Sequence, residues 1–506
     1  MLGIVIGESS PTVVKAQTEK SLPVGEYVII NSNEGEILGF VESSIASSAA
    51  LNEINNYDEA VESLEISKLS SRDKSYTTRI RTLGLIQSLK KGKTTLPALP
   101  PEPGNQITRA GTKELKDIFE PIENSRIKIG KLLRNSTVNV TVNGDKILSR
   151  HLGILAMTGM GKSNLVALIT KRIAENDGTV VIFDYHKEYS DLKIPKINII
   201  QSKINPRRLD AEQLSEILEI RKDADVQRSL LIEAFNEDVR KSSEFWESLI
   251  AAIRNLVSKN DDRKQERHSA QRVVEKIKFA QDRMTDFLDT QVEDPISLLK
   301  EGVANVVDIS SLSENQANVI LSYYLEELLK DVKKRNRARA SEKYKTYRFN
   351  APLFLIIEEA HVFIPKGEDT KTKYWASKIA REGRKFGLGL CIVSQRPRSI
   401  DSNILGQMGS LAIMRIVQQD DQSQIASAAE SVSKEFVSQL TSLNVGDAFL
   451  IGQWTNLPTL VHIDEITEKI VGRDASAWSE WEKNKKMKNI GKESNRKLIK
   501  KDLLLK

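Results

Sequence analysis

Short runs rich in Val and Ile, broken by Gly- and Asn-containing turns, open the chain: Leu2 to Ile6, Tyr27 to Ile30 and Ile37 to Val41. Runs of this length and composition predict β-strands. Further on, Val138, Val140 and Val142 alternate with polar residues just ahead of Asn143-Gly144, a pattern that predicts a half-buried strand entering a hairpin turn. Together these segments predict a small β-barrel within residues 1–148. It is interrupted by a charged, helix-compatible insertion and by Pro97, Pro100, Pro101 and Pro103, which read as an extended connector.

From about residue 149 the pattern changes to apolar runs alternating with amphipathic helical stretches. Leu152 to Ala156, Val180 to Asp184, Val303 to Ile309, Leu353 to Glu358, Leu388 to Ser394, Leu411 to Ile416 and Ala448 to Gly452 are the candidate strands. Such alternation predicts an α/β domain over residues 149–465, with a mostly parallel sheet covered on both faces. Residues 210–290 hold helical periodicity and abundant charge with no convincing strand, so they are expected to form a helical insertion. Ser313-x-x-Gln316 has the spacing of a capping box and predicts the start of a long helix running toward Arg335. Residues 466–506 form a C-terminal extension.

Charge changes the picture only locally. The 75 Lys and Arg against 69 Asp and Glu leave a net +6, too mild to mark the whole chain as a nucleic-acid wrapper. Residues 482–506 alone carry ten Lys or Arg against three acids, so the excess is concentrated in a basic arm. That arm also holds Ile490, Leu498, Ile499 and Leu503 to Leu505, and anchors of this kind suit bracing of a neighbouring subunit. The single cysteine, Cys391, excludes an intrachain disulfide and a multi-cysteine zinc site and suits a reducing cytosol. No apolar run approaches the roughly 18 residues of a membrane span, and Met1 to Gly7 lacks the basic start of a signal peptide. A cytoplasmic protein without a membrane segment is expected.

Residues 156–163 read Ala-Met-Thr-Gly-Met-Gly-Lys-Ser, after an apolar strand and before the helical pattern Leu165, Val166, Leu168, Ile169, Ile173. Strand, glycine loop and helix form the context of a phosphate cradle: the glycines let successive N–H groups converge on a phosphate, and the helix N-terminus adds partial positive charge. Thr158, Gly159, Met160, Gly161, Lys162, Ser163 and Asn164 are therefore the candidate ATP-phosphate binders. Lys162 would bridge the terminal phosphates and Ser163 would offer its hydroxyl to Mg²⁺. Ala156 departs from the glycine usual at the first position, a change small enough to keep the turn.

A second apolar strand, Leu353 to Ile357, ends in Glu358-Glu359 at the sheet edge where α/β folds bind ligands. Because strand side chains alternate, the two acids are expected to point differently, Glu358 serving the metal and Glu359 activating a water. Gln395, after the strand Leu388 to Ser394, is placed to sense the γ-phosphate or that water. Asp184 and Glu188 lie at the same edge with an open role. Arg381 and Arg384 fall in the helical stretch Lys378 to Phe386, and Arg381 is the candidate for a cation donated to a neighbouring subunit's site, with Arg384 and Arg415 as alternatives.

Taken in order, the motifs resemble those of the HerA family, archaeal-like members of the HerA/FtsK group of ring-forming P-loop ATPases. The matching residues are Leu2-Gly3-Ile4-Val5-Ile6-Gly7, Arg150-His151, Thr158 to Ser163, Asp184 to Tyr189, Glu358-Glu359-Ala360-His361, Ala380 to Gly387 and Ser394-Gln395-Arg396-Pro397. The resemblance implies a RecA-like core using ATP and Mg²⁺ and a homo-hexameric ring that couples hydrolysis to DNA translocation or unwinding. It also implies an N-terminal barrel that docks a NurA-type nuclease in DNA end resection and recombinational repair.

Competing readings are a conjugation- or secretion-type ring ATPase and a nucleotide-binding structural ring with little turnover. A guanine-nucleotide switch is disfavoured, since no Asn/Thr-Lys-x-Asp motif follows the second acidic strand. For DNA, a sequence-blind motor needs only Lys or Arg against phosphates. Lys333, Lys334, Arg335, Arg337, Arg339, Lys343, Lys345 and Arg348 form one candidate cluster. Lys366, Lys371 and Lys373, read as a loop after the acidic strand, form another.

Overall fold

The computed structural model describes residues 1–52, 54–69, 73–123, 125–258, 261–292, 294–340, 348–428, 437, 440–468 and 481. The basic arm, residues 482–506, lies outside the described residues, as do Lys343 and Lys345.

Six strands close the N-terminal barrel: β1 (Gly3–Ile6), β2 (Val13–Thr18), β3 (Tyr27–Ser32), β4 (Gly35–Ser48), β5 (Lys74–Leu85) and β6 (Gln106–Arg109), in the order β1-β2-β5-β4-β3-β6. Every pairing is antiparallel. Inward positions alternate with outward ones, so Val5, Val14, Val28, Ile30, Val41, Ile80 and Ile107 fill the interior. The charged insertion is the helix Tyr57–Leu69, carried at the tip of the long β4–β5 hairpin. The proline run precedes β6, so it lies inside the barrel's own connections.

The remaining strands form one eleven-stranded sheet among the described residues. They are β7 (Arg126–Leu132), β8 (Asn135–Asn143), β9 (Leu152–Leu155), β10 (Thr179–Asp184), β11 (Ile197–Gln201), β12 (Ala304–Asp308), β13 (Leu353–Ile357), β14 (Leu388–Ser394), β15 (Ser410–Ile413), β16 (Asp447–Gly452) and β17 (Thr459–Ile463). The order is β11-β12-β10-β13-β14-β9-β15-β16-β17-β7-β8, parallel from β11 to β15 and antiparallel beyond. Apart from the edge strand β11, the parallel strands are almost wholly buried, which is why they read as continuous Val/Ile/Leu runs. This is the α/β core with a helical insertion and an N-terminal barrel that the pattern predicts, and the RecA-like arrangement that the resemblance implies. The insertion contains the helices Ala211–Ile217, Asp225–Ala234, Glu237–Lys241, Phe245–Ser258 and Arg267–Arg283.

One expectation is corrected. Val138, Val140 and Val142 belong to β8, which pairs with β7 on the large sheet and not in the barrel. Asn143-Gly144 is no hairpin turn: the Asn143 side chain accepts from Lys146 N at 3.0 Å and caps the helix Gly144–Arg150. Asn serves both roles, and here the following residues favour the helix. The capping box is present as read, with Ser313 N donating to Gln316 Oε1 (3.0 Å) at the start of the helix Glu314–Ala340. No helix among the described residues is long and apolar enough to cross a membrane.

The barrel sits directly on the sheet. Tyr27 Oη donates to Pro458 O (3.0 Å), Arg134 Nε donates to Val24 O (2.9 Å), and the Phe40 and Phe449 rings lie 6.5 Å apart.

Candidate active site

The fully buried β9 delivers the chain to the glycine loop, whose start is pinned on both sides: Ala156 N donates to Ser394 O and Met157 N to Arg415 O, each at 3.2 Å. Ala156 itself is fully buried, so its methyl joins the core and leaves the loop undisturbed. Gly159 and Gly161 adopt φ of 79° and 100°, and Gly161 is the N-cap of the helix Lys162–Glu175. Left-handed backbone of this kind is what glycine supplies at no steric cost. A Cβ built on Gly159 meets nothing within 4 Å, so the loop's outer face is open to a ligand.

Beneath the loop, Lys162 is buried with Nζ 2.8 Å from Glu359 Oε1 and 3.4 Å from Glu358 Oε2. β14 separates β9 from β13, so the lysine reaches across one strand to the acids. The expected divergence of the two acids is not found, because both carboxylates converge on the lysine. Strand alternation stops at Glu359, which adopts φ 46° and ψ 45° and caps the short helix Ala360–Phe363. A left-handed glutamate is uncommon, and such strain is held in place only by surrounding contacts.

These contacts set the electrostatics. Burial pulls the Lys162 ammonium toward neutrality, but the two glutamates outweigh it and hold its pKa above the ordinary value. Burial pushes Glu358 up, against the pull of Lys162 and of the buried Tyr189 hydroxyl, which donates to Glu358 Oε1. Burial also acts upward on Glu359, yet His361 and Lys162 bring it down to about 2. His361 Nδ1 lies 3.2 Å from both Glu359 Oε2 and Ser394 Oγ, while the half-exposed His186 stands 3.8 Å from Glu359 Oε1. Asp184 is buried and accepts from the Glu188 and Tyr189 N–H groups, both at 2.9 Å, so it shapes the turn that carries Tyr189.

Of the other sequence-predicted residues, Gln395 joins the site: Thr158 Oγ1 donates to Gln395 Oε1, linking loop and β14. Met160 contributes its carbonyl, which accepts from Gly446 N at 3.1 Å. Ser163 lies half-buried on the first helical turn. Asn164 is turned to a different task, its amide donating to Asp464 O (3.0 Å) and accepting from Ile466 N (2.9 Å), so its side chain ties the helix to the chain beyond β17.

Arg381 is exposed near the end of the helix Lys371–Glu382, where its Nε donates to Ser377 O at 3.3 Å. Arg384 is exposed on the 3₁₀ turn Gly383–Phe386, not on a continuing helix, because Gly387 at φ 71° terminates the segment. Arg415 is exposed just past β15.

The basic clusters fare unevenly. Lys371 and Lys373 begin a helix and do not lie in a loop, with Thr370 capping Lys373 N. Both are engaged within the chain: Lys371 pairs with Asp210 and Glu212 at 3.0 and 3.2 Å, and Lys373 with Asp401 and Asp369 at 3.2 and 3.3 Å. Lys366 is exposed in the loop itself. Arg335 is buried and donates to Phe349 O (3.2 Å), Ala351 O (2.6 Å) and Phe386 O (2.5 Å), so it fastens the long helix and is withdrawn from the surface. Lys333 pairs with Glu382, and Arg348 with Asp294 at 2.6 Å.

The loop's open face, the converging amine and the buried acids fit a magnesium-bound nucleoside triphosphate. Among the described residues no cluster of three or more His, Cys, Asp or Glu could hold a metal ion alone. A cation here would rely on Ser163, one acid, phosphate oxygens and water, the pattern Mg²⁺ prefers.

A profile of the helicase HerA central domain matches residues 127–328. The DNA double-strand break repair helicase HerA of Sulfolobus acidocaldarius is 35% identical over 503 residues, covering 96% of this chain and 97% of the relative. A relative of the same name from Saccharolobus solfataricus is 34% identical over 507 residues, covering 97% of this chain and 98% of its own. Among solved structures, VirB4 of Thermoanaerobacter pseudethanolicus resembles the chain at 15% identity with a TM-score of 0.49, over 69% of this chain and 99% of that one. Identity at this level along nearly the whole of both chains shows that the chain belongs to the HerA family of P-loop ATPases.

Proposed function

We propose that the protein is an ATP-driven DNA translocase and helicase that works as a homo-hexameric ring in the cytoplasm, coupled through its N-terminal barrel to a NurA-type nuclease in DNA end resection and repair. The hydrolytic half of this reading rests on one observation above all, the Lys162 ammonium held between Glu359 and Glu358 under the glycine loop. The DNA half is supported by relatives named as double-strand break repair helicases, and the ring and nuclease by the family resemblance.

In this reading the N–H groups from Thr158 to Ser163 cradle the phosphates and Lys162 bridges the terminal ones. Ser163 and Glu358 would hold Mg²⁺, which when bound would neutralise phosphate charge. Glu359 accepts a proton from the attacking water, and Gln395, tied to Thr158, orients that water or the γ-phosphate. Arg381 crosses to a neighbour's site to balance transition-state charge, with Arg384 and Arg415 as alternatives. DNA contact falls to exposed cations such as Lys366, with Lys371 and Lys373 in reserve because their own acids hold them. The division into residues 1–148, 149–465 and 466–506 belongs to the same reading, with the β7–β8 hairpin assigned to the core sheet.

The test is ATP hydrolysis with and without duplex DNA, together with strand displacement and mass measurement of the assembly. DNA-stimulated turnover by a hexamer is expected. Turnover indifferent to DNA favours a secretion-type motor, and nucleotide binding with no turnover favours a structural ring.

A further inference from the structure

Helices leave their last carbonyls without intrahelical partners, and something else must satisfy them when the end is buried. The helix Lys371–Glu382 ends this way: Gly383 N closes on Ile379 O, while the Ala380 carbonyl faces His151 Nε2 at 3.1 Å. His151 lies far away in sequence, between the helix Gly144–Arg150 and β9. Its other ring nitrogen, Nδ1, accepts from Leu390 N in β14 at 3.0 Å. That contact fixes the tautomer, since a nitrogen that accepts from an amide carries no proton and the proton must sit on Nε2, donating to Ala380 O.

The ring is buried, and the backbone beneath it is unusual for a non-glycine residue, with φ 62° and ψ 160°. Conformations of this kind persist where surrounding contacts over-determine them. Here the two ring contacts do so. They run to the foot of β14 and to the residue preceding Arg381. The opposite ends of β9 and β14 carry the glycine loop and Gln395.

We propose that His151 is a positioning residue for the intersubunit arginine: by capping Ala380 and gripping Leu390 it fixes the helix end bearing Arg381 to β9 and β14, the strands that lead to the chain's own phosphate loop and to Gln395. The inference rests on the trans role of Arg381. It adds that each subunit's arginine is registered against its own nucleotide site through one imidazole.

His151→Asn tests it. Asparagine tolerates positive φ, and its carbonyl can accept from Leu390 N, but its amide is too short to reach Ala380. In the full chain with ATP and DNA, kcat is expected to fall by about tenfold with KM for ATP unchanged, a misplacement effect. Mixing with excess Lys162→Ala subunits is expected to restore turnover, as it does for Arg381→Ala run in parallel, because the neighbour then supplies a correctly held arginine. Unchanged kcat, or a joint loss of nucleotide affinity and turnover without rescue, overturns the proposal. If Arg381→Ala is rescued and His151→Asn is not, the positioning role falls while the trans arginine stands. If Arg381→Ala is itself never rescued, the trans reading falls and this one with it. Should the asparagine chain fail to fold, His151→Gln, whose longer amide can donate to Ala380 O, decides: near-normal kcat upholds the cap, and a loss despite a sound fold refutes it.

Discussion

Lys162 Nζ and Glu359 Oε1 lie 2.8 Å apart in a buried pair that a bound triphosphate must compete with for the same ammonium. The pairing is one reason that Glu359 stands at about 2. In the proposed mechanism, phosphates that drew the lysine away would leave the carboxylate with one cation fewer and so a stronger base for the attacking water.

Lys162→Ala removes the cation for the terminal phosphates and leaves two buried carboxylates facing each other. Hydrolysis is expected to vanish and nucleotide binding to weaken while the fold persists. The variant's melting temperature should fall below wild type at pH 8 and approach it at pH 5, because protonating either acid relieves the repulsion. Near-normal turnover would refute the phosphate-loop assignment.

Glu359→Gln should bind ATP and turn it over about 10² to 10⁴ times more slowly, since an amide cannot take the water's proton. Glu358→Gln should instead weaken magnesium dependence and disturb Tyr189, its hydrogen-bond donor. A trapped ATP complex with the second variant and not the first would reverse the two roles.

Arg381→Ala is expected to assemble and bind ATP yet lose about a thousandfold in turnover. Excess Lys162→Ala subunits should restore part of it at mixed interfaces. Absence of rescue at every ratio, in rings whose mixing is verified by mass, argues for a role within its own subunit.

His151 carries a pH signature. Burial holds its imidazole down to about 4 in the fold, against roughly 6.5 in an unfolded chain. Below pH 6.5 the unfolded chain takes up a proton that the folded one refuses, so stability is lost as pH falls from about 6.5 to about 4 and levels off beneath. Between pH 7 and pH 5 that loss is about 2 kcal/mol. His151→Asn should remove it, so that urea midpoints of variant and wild type draw together by pH 5. A gap that does not vary with pH would contradict the buried neutral ring.

The phosphate loop and the acidic strand were legible because local geometry dictates them. Gly159 and Gly161 must be glycine at their φ values, and Leu353 to Ile357 is apolar because both faces of β13 are covered. The barrel was legible only where its strands are richest in Val and Ile. β5 was not, because its outward residues include Arg79 and Arg81, which pair with the buried Glu42 on β4 and hide the alternation. The convergence of Glu358 and Glu359 was beyond reach, since one left-handed residue undoes the alternation rule. Tyr189 and His151 fall within the matching motifs, but their contacts were not legible: their partners Glu358 and Ala380 stand 169 and 229 residues away, a pairing set by tertiary packing alone.

The hairpin transferred from barrel to sheet alters the mechanics of the molecule. β7 pairs with β17, the last strand in chain order among the described residues, and Ile463 N at the end of β17 donates to Gly446 O while Gly446 N donates to Met160 O in the glycine loop. The barrel, resting on Pro458 and Phe449 at the near side of those strands, is therefore a seated cap and not a pendant on a string. The barrel rests on β16 and on the chain entering β17, and at the other end of these two strands Gly446, just before β16, touches the glycine loop. The barrel and the glycine loop are thus joined through a short series of contacts within one sheet.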